Sequence, residues 1–178
     1  MSTLAEQLLA VHDSLSEAAF AHAFGGAIAL AYCTEEPRGT RDLDVNVFVE
    51  PSRAAEVLAA LPDGVQVASA DIEAARRDGQ VRVWWEETPI DLFLDVDRFH
   101  GVVAAGVREV PFAGRSIPVL DCTALVVFKA LFDRTKDWAD IEGIVGAGTA
   151  DLTEARAWLV RVLDRGDPIV ERLSALAD

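Results

Sequence analysis

Three groups of residues in this 178-residue chain have types and spacings that can do chemistry. Gly25-Gly26 precedes an Ala-rich apolar run, Asp42-x-Asp44 heads an alternating segment, and Asp91 heads a later one. On a strand, residues two apart point to the same side about 6.6 Å along the chain, so Asp42 and Asp44 can bracket a divalent cation. Asp91 on a neighbouring strand would complete an oxygen-rich site for one or two Mg²⁺ ions. Such ions bridge the phosphates of a nucleoside triphosphate, orient an incoming hydroxyl for in-line attack and neutralise the pyrophosphate leaving group. The paired glycines let the backbone approach a phosphate closely, and a helix starting there offers unpaired N–H groups and a positive dipole end. Each group also has a plainer reading. Gly25-Gly26 suits a turn, Asp42 and Asp44 suit a solvated strand face beside Arg41, and Asp91 suits one more surface acid near Asp95 and Asp97. Their occurrence together favours the site.

The elements that must position these residues follow from periodicity. Leu4, Leu8, Leu9, Val11 and Leu15 recur at helical spacing, which predicts an amphipathic helix over residues 3–20. A short element at Ala21 to Phe24 meets the glycines, and Ala27 to Cys33 continues as a helix. Thr34 to Thr40 is a polar loop broken by Pro37 and Gly39. Leu43, Val45, Val47 and Val49 alternate with Asp42, Asp44, Asn46 and Phe48, the period of a strand with one buried face. Pro51-Ser52 opens a helix through Leu61, closed by Pro62-Asp63-Gly64, as in a βαβ-like step. Val81 to Trp85 and Ile90 to Val96 read as paired strands with a turn near Thr88-Pro89, and a second hairpin turns at Ala113-Gly114-Arg115. From Leu120 onward the pattern is helical. Asp121 caps a helix through Phe132, a second runs from Thr135 to Val145, Asp151 with Glu154 resembles a capping box for a third, and Gly166-Asp167-Pro168 starts a last one. The division expected is an α/β core over residues 1–119 and a helical C-terminal part over 120–178 packed on it as one compact unit.

Composition excludes several function classes. Sixteen Lys and Arg against 30 Asp and Glu give a net charge of −14, with 51% hydrophobic residues. A chain of this length buries about 70% of its unfolded surface and needs no staple to fold. The acidic balance disfavours nucleic acid as a partner, while a local basic groove can still hold phosphate. No apolar stretch is long enough to cross a bilayer, and no charged start followed by an apolar run suggests export, so a cytoplasmic protein is expected. Cys33 and Cys122 have no framework spacing, and His12, His22 and His100 are scattered without the close pairs of a zinc site. Asp95-x-Asp97 resembles a calcium loop, but Phe99 and Gly106 stand where ligands should be. There is no P-loop, dinucleotide fingerprint or nucleophile elbow.

Taken in order, His22-Ala-Phe-Gly-Gly-Ala-Ile-Ala-Leu-Ala, Arg38-Gly-Thr40-Arg-Asp42-Leu-Asp44-Val, Ile90-Asp91-Leu-Phe, and Lys129 followed by Arg134-Thr-Lys136-Asp137-Trp-Ala-Asp140-Ile resemble the nucleotidyltransferase superfamily. Within it the sequence is similar to the AbiEii-like abortive-infection toxin type and related small nucleotidyltransferase-like proteins. The resemblance spans about residues 20–145 and implies an α+β fold: a short mixed sheet flanked by helices, with a helical C-terminal part. It also implies Mg²⁺-dependent transfer of a nucleoside monophosphate from a triphosphate to an acceptor hydroxyl. Carried over by position, Asp42, Asp44 and Asp91 would hold metal, with Asp91 also acting as base, and Gly25, Gly26, Arg38, Thr40, Lys129 and Arg134 would hold nucleotide. The acceptor is not implied. Ala27 departs from the pattern, since many active members place Ser or Thr there to touch a phosphate, and this leaves open a catalytically silent nucleotide-binding or protein-interaction module. A third reading is the toxin half of a toxin-antitoxin or abortive-infection pair, with a cognate antitoxin as partner. Lys129 is expected to point into the cleft near Gly26, with Arg38 and Arg134 at its rim, so that Lys129→Met weakens triphosphate binding with little change in melting temperature. Lys129, Asp133 and Asp137 also have the helical spacing of exposed salt-bridging positions.

Overall fold

The computed structural model describes residues 2–96 and 98–177; Asp97, part of the Asp95-x-Asp97 pattern, lies outside the described residues, as do the two terminal ones. The first periodic segment is α1 (Leu4–Glu17), which buries Leu8, Val11 and Leu15. Its start is fixed reciprocally: the Thr3 hydroxyl accepts from the Glu6 N–H, and the Glu6 carboxylate accepts from the Thr3 N–H at 2.7 Å. β1 (His22–Phe24), α2 (Gly26–Thr34) and β2 (Leu43–Val47) follow where periodicity places them. A 3₁₀ turn at Pro51–Arg53 leads into α3 (Ala54–Ala59) and β3 (Val65–Gln66). Next come α4 (Ser69–Asp78), β4 (Gln80–Trp85), β5 (Thr88–Leu94), α5 (Arg98–Ala105), β6 (Arg108–Phe112) and β7 (Arg115–Val119). The C-terminal part is α6 (Cys122–Phe132), α7 (Thr135–Ala147), α8 (Leu152–Val162) and α9 (Pro168–Ala177). No helix among the described residues is long and apolar enough to cross a membrane.

The strands form one seven-stranded mixed sheet in the order β3-β4-β5-β2-β1-β7-β6. β2 runs parallel to β5 and antiparallel to β1, while β1 is parallel to β7. The anticipated βαβ-like step therefore closes on β5, with α3, β3, α4 and β4 all lying between the two parallel strands. Alternation along β2 and β5 sends Leu43, Val45, Val47, Ile90, Leu92 and Leu94 into the core. Asp44, Asp91 and Phe93 take the opposite face, where they line the main cleft. Asn46, expected on the polar face, is buried as well, because β2 sits mid-sheet and helices cover both sides.

Capping holds the C-terminal helices where the site needs them. The Asp121 carboxylate accepts from the Thr123 and Ala124 N–H groups, and Asp151 accepts from Glu154. α6 buries most of its residues, and Trp138 of α7 is buried with its indole N–H donating to Asp133 at 2.6 Å. Arg172 of α9 covers that ring at 4.2 Å from its centroid.

Four local expectations are corrected. The β4–β5 turn lies at Glu86-Glu87, with Glu86 at φ 54°, so Thr88-Pro89 already belongs to β5. Cys33 on α2 and Cys122 on α6 are joined as a disulfide with Cα atoms 5.5 Å apart, a pairing their wide sequence separation concealed. His12 and His22 are adjacent rather than scattered: His12 Nδ1 and His22 Nε2 share a hydrogen bond of 2.9 Å, and burial lowers the His22 pKa. Among the described residues, however, no three His, Cys, Asp or Glu side chains are grouped to hold a metal. Lastly, Lys129 and Asp137 are not exposed salt-bridging positions. Both are buried, with only Asp133 of that trio at the surface.

Candidate functional site

A cleft of about 500 Å³ opens where the C-terminal end of β1 and the N-terminal end of β2 meet α2, the loop after it, α6 and α7. Its lining includes Gly25, Gly26, Arg38, Thr40, Asp42, Asp44, Asp91, Lys129 and Arg134, so every residue singled out by sequence borders one cavity.

Gly26 begins α2 with φ +50°, a conformation costly for residues with a Cβ. A Cβ there would stand 1.8 Å from Asp44 Oδ2 and 2.5 Å from its Cγ. The carboxylate of β2 therefore lies directly against the first residue of α2, and only glycine leaves room. The Gly25 N–H donates to the Asp44 carbonyl at 2.8 Å, tying the turn to the strand. The first-turn N–H groups of α2 face the cleft end with no side-chain cap, and Ala27 adds no hydroxyl.

Asp42 is oriented by Thr40, whose hydroxyl donates to its carboxylate. That commits the Thr40 hydroxyl to a carboxylate rather than leaving it for nucleotide. Asp44 is mostly buried. Burial, then repulsion from Asp42 and Asp91, pushes its pKa up to about 6, with Lys129 and Lys136 pulling it down. Asp91 is the Cα partner of Asp44 in the parallel β2–β5 register and shares its face. Both of its oxygens are taken: Arg82 of β4, directly opposite in the antiparallel register, donates to Oδ1 at 2.7 Å and to Oδ2 at 2.6 Å. An isolated cross-strand ion pair of this kind is worth about 0.2–1 kcal/mol.

Three further cations of the cleft, Lys129, Arg38 and Arg134, are held by carboxylates of α7. Lys129 Nζ lies 2.7 Å from Asp140 Oδ2 and 3.4 Å from Asp137 Oδ1. Arg38 binds Asp140 with two prongs, at 2.7 and 3.0 Å, and Arg134 binds Asp137 at 2.5 and 3.2 Å. Burial alone would raise the Asp137 pKa, but the Arg134 and Lys129 contacts outweigh it and hold the group low. Three cations and two carboxylates thus form one chain, Arg38–Asp140–Lys129–Asp137–Arg134, carrying a net positive charge at the cleft wall. Arg134 also lies 4.8 Å above the Phe132 ring, which pairs with Phe93 at 5.8 Å.

The donor chemistry fits a divalent cation at Asp42 and Asp44: hard oxygens whose mutual repulsion a cation would relieve. Asp91 does not join them in a three-residue group placed to hold a metal among the described residues, and its oxygens are engaged by Arg82. Sequence reasoning missed Arg82 and the structural part of Asp137 and Asp140. The hairpin register carried the signal for Arg82, and the i, i+3 spacing of the two α7 acids carried it for the others.

No protein-family model matches this sequence, and no curated protein matches it. Solved structures do. The crystal structure of ANT(2″)-Ia in complex with adenylyl-2″-tobramycin aligns over 99% of this chain and 100% of its own, at 15% identity and a TM-score of 0.60. An antigenic nucleotidyltransferase-like protein from Paracoccidioides brasiliensis aligns over 96% and 94% of the two chains, at 14% identity and TM-score 0.57. The lincosamide antibiotic adenylyltransferase LnuA, lincomycin-bound, covers 78% of this chain and 94% of its own, at 14% identity and TM-score 0.53. The chain therefore has a nucleotidyltransferase-like α+β fold, with its helical C-terminal part in place.

Proposed function

We propose that this protein is a Mg²⁺-dependent nucleotidyltransferase, moving a nucleoside monophosphate from a triphosphate to an acceptor hydroxyl. The observation that carries the reading is the contact between Gly26 and Asp44, which sets an uncapped helix N-terminus against a carboxylate in a cleft walled by cations. An anion-binding helix end and a cation-binding carboxylate in van der Waals contact suit a ligand carrying both charges, which is a metal–triphosphate.

In this reading the first-turn N–H groups of α2 and the Arg38–Lys129–Arg134 wall hold the phosphates. Asp42 and Asp44 would hold Mg²⁺, and Asp91 would join them if its pairing with Arg82 opened. The bound ion would neutralise charge on the phosphates and on departing pyrophosphate. The acceptor oxygen attacks the α-phosphorus as the bond to pyrophosphate breaks, and its proton passes to Asp91. We read residues 1–119 as the core carrying these carboxylates and 120–178 as the helical part supplying Lys129 and Arg134. Two of the structural neighbours are adenylyltransferases of small antibiotics, which supports a small-molecule acceptor; an AbiEii-like toxin would use the same chemistry, and a neighbouring gene for a small DNA-binding antitoxin would support that role.

Ala27 and the engaged oxygens of Asp91 favour one second reading, a nucleotide-binding module without turnover. Titrating the four nucleoside triphosphates with and without Mg²⁺, then following pyrophosphate release, separates the two. Mg²⁺-dependent binding with release supports the enzyme. Binding without release across a panel of acceptors supports the module, and absence of metal-dependent binding overturns both.

A further inference from the structure

Asp44, Asp91 and Arg82 form a row across three adjacent strands, β2, β5 and β4, each the Cα partner of the next and all lining the same cleft. The row is set by backbone register, so Arg82 faces Asp91 as a consequence of the hairpin and not of a chance rotamer. Its guanidinium fork takes one acceptor position on each Asp91 oxygen and sets a fixed positive charge against the carboxylate, which a divalent ion approaching those oxygens would meet. Arg82 is half exposed, while Asp91 is largely enclosed, so the arginine is the partner free to leave. Arg82 also borders a second cavity of about 540 Å³ whose lining includes Asp71 and Asp78 of α4, so a displaced guanidinium has room there, beside carboxylates that Arg77 and the Ala68 N–H already engage.

We propose that Arg82 is a resident counter-cation that competes with the divalent ion for Asp91. In the free protein the arginine neutralises Asp91, and the metal site consists of Asp42 and Asp44 alone. When a cation arrives with its phosphates, Arg82 swings toward α4 and Asp91 becomes the third ligand. The proposal rests on the functional reading above for the identity of the site, but it concerns metal affinity and not turnover. A purely structural cross-strand pair would give the same distances and leave metal binding indifferent to Arg82.

The test is titration of the full chain with Mn²⁺ alone, without nucleotide, read by electron paramagnetic resonance of the free ion. Arg82→Gln should bind Mn²⁺ about tenfold more tightly than the wild type, as expected for one added charged ligand. Arg82→Gln/Asp91→Asn should return to wild-type affinity. Arg82→Lys keeps the charge without the two-pronged hold and should fall between, which preserves the test if the glutamine variant fails to fold. Unchanged or weaker Mn²⁺ binding in both arginine variants overturns the proposal, as does a gain that survives Asp91→Asn. Tighter Mn²⁺ binding in a protein that transfers no nucleotide would overturn the enzymatic reading and leave the role of Arg82 standing.

Discussion

Lys129 and Asp140 meet inside the protein, Nζ to Oδ2 at 2.7 Å, with both side chains less than one-tenth exposed. A cation that lines the cleft is thereby anchored by a helix outside the sheet. The consequence reverses a simple expectation from sequence. Replacing Lys129 with Met keeps the stem but leaves Asp137 and Asp140 without a partner they touch. Breaking a buried pair costs about 3–5 kcal/mol, and the surviving Arg38 and Arg134 contacts place this case at the low end, about 3 kcal/mol. Thermal melts should show Lys129→Met unfolding roughly 6–12 °C lower. Adding Asp140→Asn should recover part of that loss. A melting temperature within 1–2 °C of wild type (about 0.5 kcal/mol) would mean the pair is not formed in solution.

The Gly26–Asp44 contact predicts a specific coupling. Gly26→Ala must strain a left-handed residue, at about 1 kcal/mol, and must also push the Asp44 carboxylate away. We expect a loss of 2 kcal/mol or more, about 1 kcal/mol of which disappears in an Asp44→Ala background. Denaturant melts of the four proteins in the cycle measure it; additive losses would show that the two residues do not touch.

How much of this was legible beforehand depends on the range of each signal. The β2 alternation, the Asp121 and Asp151 caps and the Gly-rich helix start are local, and each appears where its pattern predicts. α4 carries no apolar stripe, since Ala75 is its one buried residue, and so leaves no helical periodicity in the sequence. Arg82 was lost through a two-residue error: a turn at Thr88-Pro89 would set Glu86 opposite Asp91, whereas the turn at Glu86-Glu87 sets Arg82 there. The cysteine pair and the Arg38–Asp140 contact join segments 89 and 102 residues apart, and no periodicity reports on such distances.

The Cys33–Cys122 link should contribute to stability through the unfolded chain. A closure spanning 89 residues removes about 4–5 kcal/mol of unfolded-state entropy in the chain-entropy model. Non-reducing melts should therefore lie well above melts in excess dithiol, and a Cys33→Ala/Cys122→Ala variant should match the reduced wild type. Thiol titration under denaturing conditions gives the control. Two reactive thiols in the untreated protein would contradict the link.

The raised pKa of Asp44 makes the metal-free fold pH-sensitive in a defined direction. An acid that rises from 3.8 unfolded to about 6 folded holds its proton more tightly in the native state. Its penalty is absent below about pH 4, grows across pH 4–6, and is full above that. Two units correspond to about 3 kcal/mol, and partial solvent access reduces this to about 1–2 kcal/mol. Asp44→Asn should therefore be more stable than wild type at pH 8 in chelator, with the advantage fading as pH falls toward 4. Millimolar Mg²⁺ should narrow the gap at pH 8 by stabilising the wild type alone, since it binds the native carboxylates. Paired melts from pH 4 to 8, with chelator and with Mg²⁺, read both effects. A stability difference that stays constant with pH would show that Asp44 is not the group under strain.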